Sequence, residues 1–84
     1  MKTTFLNSGK IMEIDANEIY EYIKKDLEEN NKPSTKNDIR EAYIADEICY
    51  LERIYNCNIE DNLQNESTLE VIFNNFDNFL KTIK

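Results

Sequence analysis

The chain has 84 residues, 17 of them acidic and 10 basic, with no histidine, one glycine and a formal net charge of −7. That length holds one small core and no second domain, and the acidity argues against a surface built to grip phosphate backbones. The missing histidine removes the commonest general base and metal ligand, and a lone Gly9 does not make a glycine-rich phosphate loop.

Residues 1–14 carry two short apolar pieces, Phe5-Leu6 and Ile11-Met12-Ile14, on either side of the turn-forming run Asn7-Ser8-Gly9-Lys10. This segment is either extended or a short β-hairpin. A hairpin on its own is marginal in water, so it would need the helices that follow. The N-terminus lacks the apolar stretch of a signal peptide, and nowhere do the roughly 20 apolar residues of a membrane span occur.

Asp15 followed by Glu18 approximates a capping box and predicts a helix over about 15–30. Its apolar stripe is Ala16, Ile19, Tyr20, Ile23 and Leu27, with Glu21 and Lys25 an i,i+4 pair elsewhere on the surface, and Pro33 is the expected stop. A second helix is expected to start after Ser34, Thr35 or Asn37 and to cover about 37–56. Counted at about 100° per residue, Ile39, Tyr43, Tyr50 and Ile54 form one arc, and Ile44, Ile48, Leu51 and Tyr55 form another. Apolar on nearly every side, this helix reads as the centre of the molecule.

Residues 57–66 read as a loop, and Ser67 with Glu70 as the capping box of a third helix over about 67–83. There Leu69, Ile72, Phe73, Phe76, Phe79, Leu80 and Ile83 make a wide apolar face, with Lys81 and Lys84 at the negative end of the dipole. The expected fold is therefore mostly α: a single small three-helix domain. Its expected core is Ile19, Ile23, Leu27, Ile44, Ile48, Leu51, Leu69, Ile72, Phe73, Phe76 and Leu80.

Little catalytic chemistry is on offer. Adjacent acids such as Asp46-Glu47 and Glu60-Asp61 diverge on a helix and make no acid–base pair. The oxygen-rich run Asn58, Glu60, Asp61, Asn62 and Glu66 lacks the register of a calcium loop. Cys49 and Cys57, on one helix, would stand roughly 12 Å apart, too far to bridge, and read as reduced and half-buried in a cytoplasmic protein. A helix-turn-helix reading fails on charge, since residues 38–55 set five carboxylates against Arg40 and Arg53. No catalytic residue, metal site or cofactor is expected.

The net charge comes from the middle of the chain. Residues 38–70 hold nine acids and two arginines, while the flanking segments nearly balance. Together with the tyrosines of the second helix, this predicts a non-enzymatic surface that binds a protein partner carrying a basic surface. Its candidate contacts are Glu41, Tyr43, Asp46, Glu47, Tyr50 and Glu52. Direct nucleic-acid binding and membrane insertion are not expected. In size, acidity and lack of catalytic equipment the chain resembles the small inhibitors that phages and mobile elements direct at host nucleic-acid enzymes, anti-CRISPR proteins among them. Abundant Asn, Ile and Lys, all with AT-rich codons, agree with such a source. The alternative is a helical homodimer acting as a regulatory or antitoxin-like subunit, with the second apolar arc as its self-interface.

Overall fold

The computed structural model describes residues 2–7, 10–59 and 66–83. Strands β1 (Lys2–Asn7) and β2 (Lys10–Asp15) form an antiparallel hairpin in the register Thr3↔Ile14 and Phe5↔Met12. Residues 8 and 9, the centre of the expected turn, lie outside the described set. On β2 the side chains alternate, Met12 and Ile14 buried and Ile11 and Glu13 exposed, so one face of the hairpin lies on the core.

Helix α1 (Ala16–Glu29) follows without a linker, because Asp15 is both the last strand residue and the N-cap. Its carboxylate accepts the Asn17 N–H at 3.0 Å. In a capping box Glu18 would accept the N–H of Asp15; here the Tyr55 hydroxyl takes it, at 2.8 Å. Ala16, Ile19, Ile23 and Leu27 form the buried stripe, and Lys25 pairs with Glu29 at 3.9 Å rather than with Glu21. The stop precedes Pro33. Asn31 adopts a left-handed φ of 56°, and the amides of Asn31 and Lys32 return to the carbonyls of Glu28 and Leu27. This is a Schellman closure, and asparagine is one of the few residues that enter the left-handed region cheaply.

The second predicted helix is two helices. Thr35 caps α2 (Lys36–Ala45) through a reciprocal box with Asp38, and α3 (Glu47–Tyr55) starts after a break at Asp46, whose φ and ψ are −140° and 43°. The backbone ladder runs from the Asp46 N–H to the Ala42 and Tyr43 carbonyls and resumes with the Tyr50 N–H on the Asp46 carbonyl. The reason lies in packing. In an unbroken helix Tyr43 and Tyr50, seven residues apart, would point within about 20° of each other. Across the break they reach different helices, Tyr43 meeting Phe73 and Phe76 of α4 (Glu66–Thr82) and Tyr50 meeting Tyr22 of α1.

Consequently α1, not the 37–56 segment, is the hub: it packs on α2, α3, α4 and β2. Helix α3 closes as α1 does, with Asn56 at φ 50° and the Cys57 N–H on the Glu52 carbonyl. Helix α4 begins at Glu66, so Ser67 lies inside its first turn rather than ahead of it. At its far end Lys36 Nζ donates to the Ile83 carbonyl, tying the start of α2 to the end of the chain.

Seven of the expected core residues are buried: Ile19, Ile23, Leu27, Leu51, Ile72, Phe76 and Leu80. Ile48, Leu69 and Phe73 are half-buried, whereas Ile44 is 49% exposed. Counting angles straight through Asp46 put Ile44 in the arc of Leu51, and the break separates them. Met12, Ile14, Ala16, Ile39, Tyr43, Tyr50 and Ile59 complete the interior among the described residues.

Candidate functional site

The six candidate contacts divide by what their side chains touch. Tyr43 is wholly buried, its ring 4.8 Å from Phe76 and stacked on Phe73 at 6.3 Å with 14° between the planes. Its hydroxyl donates to Glu47 Oε1 at 2.9 Å, a bond that spans the α2–α3 break. Burial, reinforced by the Glu47 charge and hydrogen bond, pushes the phenol far above its ordinary range. Burial also raises the Glu47 carboxyl, against the opposing pull of the Tyr43 hydrogen bond.

Tyr50 is 7% exposed. Its hydroxyl donates to Asp26 Oδ2 at 3.0 Å, its ring meets Tyr22 edge-on at 6.0 Å, and the Arg53 guanidinium lies 6.0 Å from the ring centre. Burial, helped by the Asp26 hydrogen bond, pushes this phenol up to about 12. Glu52 Oε2 accepts the Ile59 N–H at 2.9 Å and so holds the chain as it leaves α3.

Tyr43 and Tyr50 thus anchor the core, which corrects their assignment to an open partner face, and Glu47 and Glu52 are engaged in holding the backbone and the break. Glu41 and Asp46 are different: both are exposed, and neither forms an ion pair among the described residues.

Sequence reasoning passed over four long-range polar pairs. Besides Lys36 with the Ile83 carbonyl, Tyr50 with Asp26 and Tyr55 with the Asp15 amide, Arg40 Nε donates to Asp77 Oδ1 at 3.0 Å, and the Arg40 guanidinium lies 5.2 Å from the centre of the Phe73 ring. Arg40 holds the Asp77 carboxyl below its usual value, with Lys81 assisting from 3.6 Å. One signal was available: Arg40 and Asp77 are opposite charges bordering apolar faces on two different helices.

Among the described residues no cluster of three metal-ligating side chains occurs, and no helix is long and apolar enough to cross a membrane. A small, partly open apolar gap between the hairpin, α3 and α4, bordered by Met12, Leu51 and Ile72, has a volume of about 10 Å³. That is room for one water at most. Cys49 is exposed and Cys57 half-buried, both as free thiols, so the expected half-burial holds for the second alone.

No family model matches the chain, and neither a curated protein nor a solved structure is significantly similar to it.

Proposed function

We propose that this chain is a non-enzymatic, acidic protein-binding module for a partner with a basic surface, of the kind that otherwise holds nucleic acid. One observation carries the reading: among the described side chains most bases are engaged within the fold, exposed Lys32 being the exception, while many acids are not. Lys2 pairs with Glu13, Lys25 with Glu29, and Arg40 and Lys81 with Asp77. Lys36 is held on the Ile83 carbonyl, while Lys24 and Arg53 lie over tyrosine rings. Glu18, Glu21, Glu28, Glu41, Asp46 and Glu70 are exposed with no ion pair among the described residues. A field of unpaired carboxylates steers encounter with a positive groove and repels bare DNA or RNA. The anti-CRISPR-like inhibitors noted above would act in this way.

Capture of the tagged protein's partner from the encoding organism, washed in steps of increasing salt, tests the reading. A protein that is retained at low salt and displaced by heparin is the expected result. Retention insensitive to salt and heparin, or tight salt-sensitive binding to bare duplex in a mobility-shift titration, would overturn it.

A further inference from the structure

Three large apolar side chains stand exposed among the described residues: Ile11, Ile44 and Val71. Their electrostatic settings differ. Ile11 shares its strand face with Glu13, whose carboxylate is neutralised by Lys2 at 3.1 Å. Among the described side chains Val71 has one acid next to it in the chain, Glu70, on a helix whose exposed surface continues with Asn74 and Asn78. Ile44 has the exposed carboxylate of Glu41 one helical turn before it, and the exposed carboxylate of Asp46 follows at the break; neither forms an ion pair among the described residues.

Other apolar or small side chains near the break are also accessible: Ala45, next in the chain, and Cys49 near the start of α3 are exposed, and Ile48 is half-buried. Small side chains on a convex helix let a second backbone come close, and a ridge of this kind packs into the groove between side-chain rows of another helix. The nearest bases on α2 do not cancel the charge, because Arg40 is directed to Asp77 and Lys36 to the Ile83 carbonyl.

Resting on the reading of an acidic binding module, we propose that the outer face of α2 around Ile44 is its docking surface, and that the occupant is a helix of another protein whose apolar seam is bordered by Lys or Arg. Charge chooses this occupant over a second copy. A two-fold dimer through the same face would bring each Glu41 and Asp46 towards their own equivalents across the axis, whereas a basic seam pairs with them.

The test uses the whole ¹⁵N-labelled protein and two synthetic amphipathic helices, one of leucine and lysine, the other of leucine and glutamate. The Leu/Lys peptide should shift amide signals of residues 41–49, and the Leu/Glu peptide should not. Ile44→Ser, at an exposed position that leaves the fold intact, should weaken Leu/Lys binding by about tenfold, as should Ala45→Arg. Glu41→Gln with Asp46→Asn should reduce its salt dependence. Shifts confined to the α1 surface around Glu21 and Glu28 would overturn this site while leaving the acidic-module reading intact. Failure of the Leu/Lys peptide to bind overturns the proposed occupant, and the capture experiment then decides separately on the module. Light scattering completes the test: a monomer is expected, and a dimer lost on Ile44→Ser would overturn the choice of occupant.

Discussion

Tyr43 and Tyr50 are the same residue seven positions apart, each with a hydroxyl on a carboxylate, yet they hold different parts of the molecule together. Tyr43 buries its whole ring against α4 and bonds locally to Glu47, four residues on, so it stabilises the bend itself. Tyr50 keeps a small exposed edge and bonds to Asp26, 24 residues away, so it fastens α3 to α1. Separating these two directions requires the break at Asp46, and the break in turn leaves Ile44 outside.

The comparison can be broken most forcefully from the α4 side. Phe76 is fully buried beneath Tyr43, and Phe76→Ala should cost about 3–5 kcal/mol in denaturant unfolding. Such a loss is a large fraction of the stability of so small a domain. Unchanged stability would remove Phe76 from the core. A sharper contrast is Leu51→Ala against Ile44→Ala. One straight helix gives both the same cost, whereas the bent one predicts about 2–5 kcal/mol for Leu51 and about 0.5 kcal/mol for Ile44.

Removing the hydroxyls comes next. Tyr43→Phe leaves the half-buried Glu47 carboxylate without its donor and should cost about 1–3 kcal/mol. Tyr50→Phe should cost less, about 0.5–1.5 kcal/mol, because Tyr50 keeps an exposed edge by which water can replace the lost donor, whereas Tyr43 has none. Equal losses would mean that the two bonds are equally sheltered.

Opposite pH slopes provide the finest separation. Glu47 has a folded pKa raised from 4.5, so the folded state holds its proton more tightly than the unfolded chain. Its contribution to stability therefore falls as pH rises from about 4.5 through the folded value, and Glu47→Gln should abolish that part of the slope. Asp77 has a folded pKa lowered from 3.8, so its contribution is present above about 3.8 and is lost as pH falls through the folded value. Asp77→Asn should flatten only that acid limb. Unfolding curves of the wild type and both variants between pH 2 and 7 would show the two limbs moving independently.

Much of the architecture was legible in the sequence because it rests on short-range signals. The Asp15 cap, the α1 stripe and the α4 face each follow from side-chain period and local hydrogen bonding. The break at Asp46 was not read, although the sequence carried a trace of it: an apolar pattern wrapping nearly the whole helix, interrupted by Asp46-Glu47. A straight helix presents one direction to one neighbour, so two full apolar arcs called for two helices. Once α2 and α3 are counted separately, Ile39 and Tyr43 fall inside and Ile44 outside. For the same reason the candidate contacts were only partly legible. Sequence marks acids and tyrosines as interface chemistry, but which are consumed internally depends on partners as distant as Asp26 and Ile59. Glu41 and Asp46 retain their exposed carboxylates because no cation from another described element reaches them.

The hydrogen bond between the Asp15 amide and the Tyr55 hydroxyl closes a loop of 40 residues at the junction of hairpin and helix. Closing so long a loop carries an entropic cost that helix winding and hairpin zipping, both local, do not bear. The Asp15 amide is therefore a natural clock for the assembled state: in deuterium exchange its protection should appear only after α1 and the hairpin have formed, when α3 has swung into place behind them.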